Sequence, residues 1–206
     1  MNRKQICAAL FAAAALMGLS ACGKPEEKQA QGNSPVVEAP VANTMIGPQG
    51  AAGISSAIPM TEEAVRAAAP NFSVASVEDQ VDGDPFISIT LSLGDDEVFR
   101  VYPSADRTEV HSVSTRSSRA HSPDGESVGV SLFRDAAPDG VIFCITDFAI
   151  IHENGFSCST DASGAFWRTY RLPDGYDGPS APFDAIDPDV SAEAMLVEMK
   201  WMEPGT

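Results

Sequence analysis

Phe86-Ile87-Ser88-Ile89-Thr90-Leu91-Ser92-Leu93 decides the fold class. Ile87, Ile89, Leu91 and Leu93 take alternate positions, and Ser88, Thr90 and Ser92 fill the gaps. Side chains of an extended strand point to opposite faces with a period of two, so this stretch predicts a strand with one face in a core and the other polar. Gly94-Asp95-Asp96 supplies a turn, residues 97–102 return as a second strand closed by Pro103, and a third follows at 110–115. A weaker strand precedes them at 73–77. Upstream, Thr61 is a good N-cap with Glu62 and Glu63 where the helix dipole favours acids. Met60 is placed to staple onto Val65, and Pro70 ends the helix.

After the polar segment 117–126 the pattern begins again. The stretch 128–138 echoes 58–65 and offers a short helix after Ser131, although Val128, Val130 and Leu132 also alternate as a strand would. Both readings stand. Further strands are expected at 141–147, 156–160, 166–172 and 195–202. The chain therefore reads as α+β: antiparallel sheet with one or two short helices, a duplicated helix-plus-four-strand unit with halves 46–116 and 124–203. Whether the halves share one sheet is left open.

The N-terminus sets the address. Arg3 and Lys4 precede an apolar run over 6–19, then Leu19-Ser20-Ala21-Cys22. This is the layout of a secretory signal peptide, and the run is short of the roughly 20 residues that cross a bilayer. Small residues before Cys22 suit cleavage and acylation at its thiol, and Gly23 rather than Asp directs the product to the outer membrane. The expected organisation is a lipoprotein signal peptide over 1–21, lipidated Cys22 with a Pro/Gln/Glu-rich tether over 22–45, and a globular domain over 46–206. The tether has too little apolar surface to offset the entropy of ordering. Loss of Arg3 and Lys4 leaves 11 basic against 29 acidic residues, net −18 instead of −16. Such a chain repels nucleic acid.

With Cys7 removed and Cys22 acylated, Cys144 and Cys158 remain, each on an expected strand of one hairpin. An oxidising compartment makes them a disulfide, while a redox pair would lack Cys-x-x-Cys spacing. His111, His121 and His152 have no second ligand at metal-binding spacing, so no metal site and no cofactor is expected. Asp82-Gly83-Asp84 and the acids over 184–189 read as turn residues, since the twelve-residue calcium loop is absent. No Gly-x-Ser-x-Gly elbow occurs. On the strand at 166–172, Phe166, Arg168 and Tyr170 share one face and Trp167 takes the other. Either a second layer covers them or Phe166, Arg168, Tyr170 and Tyr176 form a partner-binding surface.

Taken in order, the Cys22 motif, the polar tether, Gly53 to Pro59 leading into a helix, the Cys144/Cys158 pair, the aromatic strand before Gly178-Pro179 and a closing strand ending at Trp201 resemble one family. It is the uncharacterised lipoprotein family typified by the sigma-E-regulated lipoprotein of enteric bacteria. This chain departs from it in a longer tether and in Tyr176-Asp177 before Gly178. The resemblance implies an envelope lipoprotein tied to envelope stress, with no catalytic residues to carry over. The expected role is non-catalytic: a lipid-anchored, periplasm-facing outer-membrane protein that binds or scaffolds an unknown envelope protein. An envelope hydrolase and a small-ligand or calcium module are the alternatives.

Overall fold

The alternating stretch lies within β4 (Asp84–Leu93), and its predecessor β3 (Ser73–Val81) pairs with it along its whole length. Asp82 and Gly83 alone make the connection, both with positive φ, the two-residue Asp-Gly hairpin that matches strand twist. This turn extends β3 four residues beyond the expected strand. The computed structural model describes residues 41–135, 143–146, 154–159 and 161–204. These lie in one compact unit, Ala39–Thr206.

In chain order, a small hairpin, β1 (Ile46–Gly47) and β2 (Gly50–Ala51), leads to α1 (Glu62–Ala68). Then come β3, β4, β5 (Asp96–Pro103) and β6 (Val110–Thr115). A 3₁₀ turn, Phe133–Asp135, precedes β7 (Phe143–Ile145), β8 (Gly155–Ser159) and β9 (Phe166–Arg171). A second 3₁₀ turn, Phe183–Ala185, and α2 (Pro188–Ala192) lead into β10 (Met195–Met202). The fold is α+β, as the sequence predicts. Of the two readings weighed for 128–138, the short helix after Ser131 is met by the 3₁₀ turn Phe133–Asp135, while Val128, Val130 and Leu132 form no strand: turns lead to a single bridge between Leu132 and Met195. The β1–β2 hairpin and α2 are short elements that the sequence pattern does not announce.

The eight longer strands form one antiparallel sheet in the order β3-β4-β5-β6-β10-β9-β8-β7. Two four-stranded meanders therefore join through their last strands, which answers the question of one sheet or two. The registers make the duplication explicit. Val110 N donates to Ile58 O and Leu196 N to Ser131 O, so the approach to each half pairs with the start of its fourth strand. Both fourth strands carry an extra residue against the third strand, His111 in β6 and Val197 in β10. With Val110 equivalent to Leu196, the pair Val113–Trp201 maps onto Thr115–Met199, and Ser114–Lys200 maps onto itself. A pseudo-two-fold axis passes through Ser114 and Lys200. The halves differ mainly between their third and fourth strands, where Pro103 runs quickly to Val110 while its counterpart Tyr170 reaches Leu196 only through a long excursion holding α2.

One face of the sheet is closed. Leu91, Phe99, Val113, Trp201, Phe166 and Tyr170 pack there against Ile46, Ile54, Val65, Phe72 and Ile186 from the covering segments. Helix α1 forms where Thr61 Oγ1 accepts from Ala64 N at 3.2 Å, and it buries Val65. Gly53 lies against the end of α1 with φ +96, where a Cβ would strike the Ala68 carbonyl. That close approach accounts for the Gly53 to Pro59 lead-in.

Candidate functional site: the open sheet face

Alternation that sends Ile89 and Leu91 into the core sends Ser88 and Thr90 to the opposite face. Among the described residues no helix or strand covers that face. A single register row crosses all eight strands there: Ala75, Thr90, Arg100 and Ser114 in the first half, Lys200, Trp167, Ser159 and Phe143 in the second. The symmetry-related pairs are chemically unlike, Arg100 opposite Trp167 and Ser114 opposite Lys200. Duplication thus supplies the frame, and the side chains have diverged on it.

The first half of this face is charged. Arg100 bridges Glu97 at 2.6 Å and Asp79 at 3.2 Å, and the Glu97 hydrogen bond holds its pKa up. Arg116 holds Glu198 at 3.0 Å and Arg119 holds Asp96 at 3.0 Å. Tyr102 is half-buried, and burial pushes its hydroxyl pKa up. The Lys200 ammonium stands 5.9 Å from the Tyr102 ring centre, and burial lowers its pKa. On the second half, Phe143 stacks edge-on to Trp167 at 5.1 Å, and Trp167 Nε1 donates to Gly164 O at 2.8 Å. Two clefts of about 830 Å³ and 550 Å³ open on the first half.

The aromatic strand behaves otherwise than a partner-binding surface requires. Phe166, Arg168 and Tyr170 are 0 %, 3 % and 0 % exposed. Phe133 and Phe183, on the two 3₁₀ turns, meet this cluster: Phe133 lies edge-on to Tyr170 at 5.2 Å, and Phe183 reaches Phe156 at 4.8 Å. These three residues are core, and the second layer considered from sequence is what covers them. Tyr176 is partly exposed, its hydroxyl donating to Pro179 O at 2.9 Å. It braces its own loop. On β9 the residue that reaches the open face is Trp167.

Arg168 occupies the place that Val101 holds in the first half. A guanidinium there demands a partner, and Glu126 from the segment joining the halves supplies it, with Nε to Oε2 at 2.5 Å and both side chains about 5 % exposed or less. Ser122 Oγ also donates to that oxygen at 2.9 Å, and Arg168 lies 4.6 Å from the Phe166 ring centre. Glu126 Oε1 and the Tyr170 hydroxyl are buried without a hydrogen bond. Burial, then the Glu126 charge, pushes the Tyr170 pKa up.

Cys144 and Cys158 are directly opposed on β7 and β8, Cα to Cα 4.1 Å, and form the expected disulfide. His121 lies beside Thr44 Oγ1 at 3.3 Å, and His111 is the bulged residue of β6. Cys22 and His152 lie outside the described residues. Among the described residues no group of His, Cys, Asp or Glu is arranged to hold a metal, and no helix is long and apolar enough to cross a membrane. The row centred on Lys200 escapes sequence inspection because its members are one per strand. Only the register brings them together.

No family model and no curated protein matches the chain. Among solved structures, it is similar to the uncharacterized protein yfeY from Escherichia coli, with a TM-score of 0.53 and 15 % identity over 79 % of this chain and 99 % of that one. At that identity the likeness is one of fold alone.

Proposed function

We propose that this chain is a lipid-anchored protein of the bacterial envelope whose domain holds another envelope component against its open sheet face, without performing chemistry. The observation that carries the binding reading is the asymmetry of the sheet. One face is sealed by α1, the small hairpin and the 3₁₀ turns. The other carries a row of cationic and aromatic side chains, Arg100, Lys200, Trp167 and Phe143, over which no helix or strand lies among the described residues. Aromatic and arginine side chains are the types enriched at interfaces, and the polar groups between them supply register.

The address rests on Leu19 to Cys22 and the polar tether behind it. Gly23 favours the outer membrane, with the domain facing the periplasm. Several acyl chains on one Cys make a stable anchor, where a single chain binds marginally. Resemblance to the lipoprotein family named above supports a role connected with envelope stress. Cys22→Ala tests the address. The native chain is expected to take up labelled palmitate and to sediment with outer membranes, and the variant to be unlabelled and soluble in the periplasm. A variant that still sediments, with neither form labelled, removes the anchor from this reading.

A further inference from the structure

The basic side chains of this acidic protein are mostly committed. Arg66, Arg100, Arg116, Arg119, Arg134 and Arg168 each hold a carboxylate. Among the described residues Lys200 and Arg107 form no ion pair with a carboxylate, and both line the same cleft. Lys200 is half-buried at the centre of the open face, its ammonium 5.9 Å from the centre of the Tyr102 ring. Of the acids that line the cleft, Glu198 is shared with Arg116 and Asp79 is bridged by Arg100, so neither is given to Lys200 alone. Glu198 offsets part of the cost of desolvating this ammonium, but burial still outweighs it, and a partly desolvated ammonium that makes no direct ion pair is a place for a ligand carboxylate to complete.

The cleft has the shape for a ligand. Its volume of about 550 Å³ falls in the range of small-molecule sites. The floor is Lys200, Tyr102 and Ser112, while the β3–β4 hairpin tip and the loop carrying Arg107 make the walls. Phe86 and Pro103 give it an apolar side, with the Phe86 and Tyr102 rings 6.3 Å apart. Asp79, Asp84 and Glu198 in the lining set a limit on ligand charge, because a doubly charged anion would be repelled by them.

We infer that this cleft binds a small monoanionic carboxylate with an apolar or aromatic body, its charge on the Lys200 ammonium at the floor and its body against Phe86 and Pro103. Arg107 at the rim draws the anion in. The inference rests on the open face being the binding surface, and it names the chemical class that the first half of that face accepts. A free aromatic acid and the C-terminal carboxylate of a peptide present the same chemistry.

The test is an amide-shift titration of the full chain in detergent with benzoate, N-acetylphenylalanine, N-acetylphenylalaninamide and inorganic phosphate. Saturable shifts confined to residues 79–86, 102–112 and 198–200 are expected with one or both carboxylates and not with the amide or phosphate. Benzoate alone points to a free acid, and tighter N-acetylphenylalanine binding points to a peptide terminus. Lys200→Met should weaken binding at least about tenfold, the scale of one lost charge-assisted hydrogen bond, with the rest of the spectrum unchanged. Lys200→Arg should retain part of it, and Arg119→Gln, in the neighbouring cleft, all of it. The inference is overturned by no saturable shift from either carboxylate, by equal shifts from phosphate or the amide, or by unchanged binding in Lys200→Met. A negative titration beside an intact in-cell contact from Trp167 would remove the carboxylate and leave the binding face standing.

Discussion

Ser114 and Lys200 face each other across the junction of the two meanders, and the pseudo-two-fold axis of the domain passes between them. At such a position the two halves contribute equivalent backbone and different side chains. The first half places a small hydroxyl there, and the second a lysine whose charge is poorly solvated. Function is therefore sought where the symmetry is broken.

Lys200 carries a stability signature that follows from linkage. Burial lowers its pKa below the ordinary 10.5, against the opposing pull of Glu198. Between the lowered and the ordinary value the unfolded chain binds a proton that the folded chain has released, so stability from this group rises with pH there and its cost is complete below it. Tyr102, Asp79 and Glu198 surround it in the native state and act in both directions. Lys200→Met, which keeps the stem, is expected to melt higher than the native chain at pH 7. That gap should close as the pH is raised toward 10.5. Paired thermal melts across this range check it, and a variant that melts lower at pH 7 contradicts it.

The buried pair between Arg168 and Glu126 behaves differently. Breaking one side leaves the other charge unpaired in the core, so Arg168→Met or Glu126→Leu should cost about 3–5 kcal/mol. The double variant should recover most of that loss, because an apolar pair of similar volume also fits a core that holds Val101 at the equivalent position. Denaturant midpoints of the three variants form the cycle. Additive losses would show that the pair does not couple the joining segment to β9. The Tyr170 hydroxyl is buried beside Glu126 without a well-formed hydrogen bond, so Tyr170→Phe should change stability by less than either single variant of the pair.

The disulfide ties a three-residue edge strand to the sheet. Closing a chain separation of 14 residues contributes about 3 kcal/mol on the loop-entropy account. For a domain of this size, the Cys144→Ala/Cys158→Ala variant should melt lower by roughly 6–12 °C. Amide exchange should rise first in β7, with β3 to β6 protected. Uniform loss of protection across the sheet would contradict a local tie.

At the opposite edge, β3 offers a nine-residue strand to any unpaired partner, and α1 guards it. Glu62 accepts from Ser76 N at 2.9 Å, and Arg66 donates to Val74 O at 3.4 Å. Both capped groups would otherwise be open to another strand. The Ser76 hydrogen bonds hold the Glu62 carboxyl below its ordinary pKa, so its contribution is present above the ordinary value and lost as pH falls through the lowered one. Glu62→Ala/Arg66→Ala is expected to self-associate at concentrations where the native chain does not, read by sedimentation. A variant that stays in the native oligomeric state would show that the edge needs no guard.

The strands were largely legible because period-two alternation survives wherever one face is buried, as at Ile89 and Leu91 or at Met199 and Trp201. Their ends were less so. β3 runs on to the Asp82-Gly83 turn through Glu78, Asp79 and Gln80, polar residues tolerated on an edge strand half open to water. The aromatic strand was ambiguous since Arg168 sits between Phe166 and Tyr170, and nothing local reveals that Glu126, far along the chain, enters the core to meet it. The open-face row was invisible for the same reason. Neither Arg100 nor Lys200 has a neighbour in sequence that marks it, and registers between strands far apart in the chain decide what each faces.

Site-specific photocrosslinking in cells tests the binding face most directly, with the probe placed in turn at Tyr102 and Trp167 on the open face and at Glu63 on the exposed side of α1. The expected result is one discrete adduct, shared by Tyr102 and Trp167, absent from Glu63 and lost when Cys22→Ala releases the chain from the membrane. No adduct from either open-face position, or the same adduct from Glu63, would contradict the account.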